Sequence, residues 1–161
     1  MARQAKQKRD CEKPRLGELP PRYSLFLNPY TDVRFSSSCP GCSGKTRQRK
    51  LPLAIHVDDW GMVILNKTCR FCPYCELLIA HQDEIEAHLA QLFAQIAPDA
   101  MGSDYLIMGT VERKQWRRGL TSPLSNSEMI EALHDFKDHL HFRPAPCWAY
   151  TGPHDEGAQP R

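Results

Sequence analysis

At 161 residues and 41% hydrophobic content, the chain can bury one modest core. It contains no apolar run long enough for a transmembrane helix, and no apolar stretch follows its basic start, which argues against a secretory signal. The early Asp10 and Glu12 likewise weigh against an organelle-targeting segment.

The net charge of +2 is unevenly spread. Residues 1–50 hold 12 Lys and Arg against 4 Asp and Glu, a net +8, and the remainder carries −6. A basic front and an acidic back suit a polyanionic partner at the front. Seven cysteines, five of them between positions 39 and 75, favour metal ligation in a reducing compartment over a disulfide framework. The expected location is therefore the cytoplasm.

Residues 1–22 are polar, basic and broken by Pro14, Pro20 and Pro21, and read as a disordered or extended tail. Residues 23–27 form a short apolar run that Asn28-Pro29 ends, expected as an edge strand or a docking segment. Three serines then lead into Cys39-Pro40-Gly41-Cys42. The following Gly44-Lys45-Thr46 imitates a phosphate-binding loop, but Cys39 stands where that loop needs its first glycine. What remains is a basic cluster of Lys45, Arg47, Arg49 and Lys50, either a solvated face or a phosphate-contacting loop.

Leu53, Ile55 and Val57 alternate onto one face and predict a strand, with Pro52 holding its start at an edge. Residues 58–61 make a turn and residues 62–65 the return strand, so a β-hairpin follows the first cysteine pair. His56 falls on the face opposite the apolar residues and is expected at the surface.

A second pair, Cys72-Pro73-Tyr74-Cys75, closes the stretch. Two C-P-x-C hooks at this separation fit a tetrahedral Zn²⁺ site made of Cys39, Cys42, Cys72 and Cys75. Each hook sets two thiolates on a tight turn, with Pro restricting φ and Gly41 permitting the bend. Cys69 is one ligand too many. It is expected as a buried spectator; the alternatives are that it replaces Cys72 or Cys75, or that five cysteines hold an iron–sulfur cluster.

These four cysteines resemble the zinc-ribbon and treble-clef class of zinc fingers over roughly residues 36–97. The resemblance implies one structural zinc, a β-hairpin plus a helix, and binding to nucleic acid or protein. Residues 77–79 decide the type: a helical turn there implies a treble clef, and a strand implies a zinc ribbon. The treble clef is the expectation.

Beyond the second hook, Ile85, Leu89, Leu92, Phe93 and Ile96 fall at helical spacing, Asp83 and Glu86 resemble a capping box, and Pro98 follows the end. His81, Glu84 and His88 are the one grouping an enzyme reading can nominate, although a solvated helix face explains them more simply. A strand follows at residues 104–111, in which Gly109 signals a bulge or a close backbone approach. Arg113, Lys114, Arg117 and Arg118 surround Trp116, a pattern that suits a nucleic-acid strand through phosphate contacts and stacking, or else a basic turn whose indole packs inward.

Ser125 to Glu128 reads as the cap of a C-terminal helix carrying Met129, Ile130, Leu133, Phe136 and Leu140 on its core face. Glu131 with His134 is a lone E-x-x-H pair, too little for a di-iron site, and His134, His139 and His141 are a second conceivable metal grouping. Residues 143–161 form a proline-rich tail that Cys147 and Trp148 are expected to tether.

The expected protein is thus α+β. A zinc-nucleated domain spans residues 23–142, with an added strand or hairpin and a C-terminal helix. Its expected role is nucleic-acid binding; a protein-interaction adaptor is the alternative, and catalysis by the metal is not expected.

Overall fold

Two long antiparallel strands form the spine of the fold. In the computed structural model, which describes residues 16–143, β2 (Arg47–Val57) pairs with β3 (Gly61–Cys72) from Val57↔Gly61 to Arg47↔Phe71. The expectations for residues 1–15 and 144–161, Cys147 and Trp148 included, lie outside the described residues. The hairpin turn places Asp59 at φ 64° and Gly61 at φ 119°, and glycine tolerates the second without strain. The hairpin is longer than its apolar pattern: residues 47–50, expected as a solvated face or a phosphate-contacting loop, open its first strand. Backbone pairing to Thr68, Cys69, Arg70 and Phe71 holds them there, without help from apolar alternation.

Around this spine lie β1 (Ser24–Asn28), β4 (Leu77–His81), β5 (Tyr105–Val111), β6 (Leu133–Asp135) and β7 (His139–Leu140), in the sheet order β6-β5-β2-β3-β4-β1-β7. Strand β4 pairs antiparallel with β3, and β1 runs parallel to both β4 and β7. The apolar run near residue 25 is therefore flanked on both sides rather than lying at an edge. On the other side β5 pairs with β2, and β6 pairs with β5. Pro52 sits one residue before the β5 pairing begins at Leu53, where its missing N–H is cheapest.

Strands β6 and β7 are consecutive in the chain yet lie at opposite edges of the sheet. The sheet must curl for this, and main-chain bonds bridge its edges: Arg22 N–H to Asp135 O at 2.9 Å, Lys137 N–H to Tyr23 O at 2.7 Å, and Leu25 N–H to Asp138 O at 2.8 Å. Bridging removes the exposed edges that would otherwise template association. The main core lines the inside of the curl and includes Leu25, Leu53, Ile55, Ile107 and Phe136.

Helix α1 (Gln82–Ile96) lays Ile85, Leu89 and Phe93 on this core near the 58–60 turn, where Trp60 meets the Phe93 ring edge-on at 5.6 Å. Its N-cap is His81, with no side-chain cap; Asp83 accepts from Glu84 N–H at 2.9 Å and is held by Arg34 instead of acting in a capping box. Among the described residues, no helix is long and apolar enough to cross a membrane.

The expected C-terminal helix needs correction. Ser125 does cap a helix, accepting from Glu128 N–H at 3.2 Å, but α3 ends at Glu131 (Asn126–Glu131). Leu133 and Phe136, expected on the helix face, are buried from strand β6 and the segment after it. Pairing with β5 satisfies the backbone of residues 133–135 and closes the sheet, which a helix there cannot do. Gly109 makes this possible: a Cβ on it would lie 2.1 Å from the His134 carbonyl oxygen, the close approach its position suggested.

Candidate metal centre and basic surface

The cysteine hooks lie at the end of the β2–β3 ladder remote from the 58–60 turn. The first is a tight loop closed by Cys39 N–H to Gly44 O and Ser43 N–H to Cys39 O, both at 2.8 Å, with Ser43 in the left-handed region at φ 62°. The second is the hairpin turn between β3 and β4, since Cys72 pairs with Leu77. Residues 77–79 are thus a strand, and the second hook does not stand at a helix N-terminus.

The Sγ atoms of Cys39, Cys42, Cys72 and Cys75 all lie within 4.8 Å of one another, and those of Cys42 and Cys72 are 3.5 Å apart. A tetrahedral zinc thiolate site has sulfur edges of about 3.8 Å, so this donor set fits such an ion. Backbone N–H groups support the thiolates: Gly41 donates to Cys39 Sγ and Gly44 to Cys42 Sγ, each at 3.3 Å. Gly44 has a second reason to be small, because a Cβ there would stand 3.0 Å from both Cys42 Sγ and the Tyr74 ring.

The sulfurs compete for negative charge. The Gly44 N–H holds the Cys42 thiol below its ordinary pKa, and the hydrogen bond shared with Cys42 pushes Cys75 up to about 12. Burial raises Cys39. A divalent cation between them relieves this competition and allows all four to ionise.

Cys69 lies elsewhere. It is buried in the main core, its thiol faces the Lys67 carbonyl at 3.7 Å, and burial pushes it up to about 12. It is absent from the four-sulfur group, as expected of a spectator. That group is the one set of three or more His, Cys, Asp or Glu side chains within metal-binding reach among the described residues. The histidine groupings therefore do not assemble: His81 Nδ1 meets Asn28 Nδ2 at 3.1 Å, Glu84 pairs with Lys67 at 3.1 Å, and His88 is exposed. His134 contacts Glu112 at 2.6 Å and the Pro20 carbonyl at 2.8 Å, while Glu131 is exposed.

The basic residues occupy two elements. Lys45 leads into β2, which carries Arg47, Arg49 and Lys50; Arg113, Lys114, Trp116, Arg117 and Arg118 belong to helix α2 (Arg113–Gly119). Arg113 Nη2 donates to Lys50 O at 2.9 Å, so the start of α2 lies against the start of β2. Arg118 pairs with Glu128, and Trp116 is half-buried against Ala54, Val111, Ala132 and Leu133. Sequence reasoning missed Arg22 and Tyr23, which stand beside Arg49: the Arg49 guanidinium lies 5.3 Å from the Tyr23 ring centroid. A basic residue at the edge of a charged tail carries no periodic signal that could have marked it. Comparison with protein-family models, curated proteins and solved structures finds no match to this chain.

Proposed function

We propose that the chain binds one structural Zn²⁺ through Cys39, Cys42, Cys72 and Cys75 and contacts nucleic acid with the basic surface of the folded domain. Placement of both hooks on β-turns, with strand β4 after the second, favours the zinc-ribbon type over the treble clef. Four thiolates complete the tetrahedron and leave no position for water, so the ion is structural and not catalytic.

One observation supports the nucleic-acid reading above the others: the Arg113–Lys50 bond, which joins two basic clusters 63 residues apart in sequence. Lys45, Arg47, Lys50, Lys114 and Arg117 are exposed on, or next to, the two elements that it joins. Together they can neutralise about four to six phosphates, and affinity for any strand then falls by orders of magnitude from low to physiological salt. Fluorescence anisotropy with labelled single- and double-stranded oligonucleotides tests this. Reversing Lys114 and Arg117 to Glu weakens binding alike for all base sequences, because phosphate contacts carry no base code. Absence of binding to DNA and RNA at low salt refutes the reading. The adaptor alternative then leads, supported by the exposed Trp60, Ile96 and Met101 near the ends of α1, remote from the cysteines.

A further inference from the structure

Where β2 runs on past its pairing with β5, towards the cysteine hooks, lies a cavity of about 250 Å³. Three guanidiniums line it: Arg22 just before β1, Arg49 on β2 and Arg113 at the start of α2. Arg49 shares the inward face of β2 with the buried Leu51, Leu53, Ile55 and Val57, which is why it turns into the curl and not outward with Lys50.

Aromatic rings and a main-chain carbonyl hold the arginines, and Arg22 also attracts the Glu76 carboxylate, which Lys137 binds. Arg22 and Arg49 lie over the Tyr23 ring at 4.7 and 5.3 Å from its centroid, and Arg49 also lies 5.0 Å from the Phe71 ring. Stacking fixes the guanidinium planes and leaves their N–H edges available. Arg113 is anchored by the Lys50 carbonyl. Among the described residues none of the three is in a salt bridge with a carboxylate. Glu112 also lines the cavity, but its carboxylate is engaged by His134 Nε2 at 2.6 Å.

Tyr23 adds a further sign of a site. It is 4% exposed, and its hydroxyl is buried with no hydrogen-bond partner among the described residues. Its backbone sits at φ 62°, a conformation that costs a non-glycine residue free energy and persists where the surroundings impose it. A strained backbone at the wall of a cationic cavity is a mark of a place shaped for a ligand.

We propose that this cavity binds a phosphate monoester, carried by a free nucleotide or by the end of a nucleic-acid strand. The size admits one phosphate and its attached sugar, not a run of backbone. Three guanidiniums match the near-dianionic monoester better than the single charge of a diester. The pocket is distinct from the exposed surface of Lys45, Lys50, Lys114 and Arg117 and does not require that surface to bind nucleic acid.

The test is isothermal titration of the full zinc-loaded chain with inorganic phosphate, a nucleoside 5′-monophosphate, and oligonucleotides with and without a 5′-phosphate. The monophosphate is expected to bind. Arg49→Gln then weakens it at least about tenfold, and Arg113→Gln, on the exposed helix, does the same if the first variant folds poorly. Tighter binding of the 5′-phosphorylated strand identifies a strand end as the source; binding of the mononucleotide with no such gain identifies a free nucleotide. No binding of the monophosphate or of the 5′-phosphate, or binding indifferent to both arginine variants, overturns the proposal. Oligonucleotides that bind equally with and without the 5′-phosphate, while the mononucleotide does not bind, leave the nucleic-acid reading standing and remove the pocket.

Discussion

Cysteines with the same chemistry take different roles here because their surroundings differ. Cys39 and Cys72 are buried beside Phe26, Phe35, Leu77 and Ile79, whereas Cys69 lies in the separate main core. The purified protein is expected to carry about one zinc per chain by elemental analysis. Cys72→Ser should lose it, while Cys69→Ser should keep it at a stability cost no greater than about 2 kcal/mol. A visible charge-transfer band with iron and sulfide would replace the zinc assignment with a cluster. The Arg34 guanidinium, donating to Asp83 at 2.8 Å, holds the Asp83 carboxyl at about 2, below its ordinary 3.8. A depressed folded-state pKa stabilises the fold above about pH 4, and this contribution is lost as pH falls through about 2. Carboxyl-carbon NMR should give that low midpoint, and Arg34→Gln should return it towards the ordinary value.

Among the elements, β5 and β6 depend on one missing side chain. Gly109→Ala places a methyl against the His134 main chain, and backbone cannot swing aside as a side-chain tip can. The expected loss exceeds about 3 kcal/mol, or the β5–β6 pairing opens; chemical denaturation with amide exchange at residues 133–135 separates these outcomes. Leu133, fully buried, should cost about 2–5 kcal/mol as Ala. Helix α2 is short, and Trp116 pins it to Val111, Ala132 and Leu133. Trp116→Ala is therefore expected to lower stability and to weaken single and double strands alike, because an indole packed inward is a poor stacking platform.

At the scale of the molecule, the metal site lies outside the main core. None of the four ligands belongs to the large cluster inside the curl, which draws on β1 to β5 and α1. A domain nucleated by zinc would lose its structure on chelation. The packing instead predicts a lowered Tm with most strand signal retained by circular dichroism. Amide protection should vanish first around residues 39–46 and 72–77, the two hooks that a shared metal ion would tie together. Global unfolding on chelation at room temperature would refute this division. Closure also requires long-range pairing, such as β1 on β4 across 53 residues, so folding should be slow for a domain of this size.

The sequence alone determined what depends on local spacing. Two C-P-x-C units name their metal chemistry because ligand geometry is set by a turn of four residues, and the alternation around Ile55 and the period of α1 follow from burial of one face. Gly109 was legible for the same reason, since only the absence of a side chain permits a close backbone approach. Tertiary structure decided what depends on distant partners. Leu133, Phe136 and Leu140 satisfy a helical period, yet residues 133–140 join the two edges of a curled sheet, because only β5, β1 and the segment at Arg22–Tyr23 can pair their backbone. The strand at residues 77–79 needed β3 and β1 beside it. The cavity between Arg22, Arg49 and Arg113 draws on three separate parts of the chain. No window of sequence contains it, since charges 27 and 64 residues apart become neighbours only when the sheet curls.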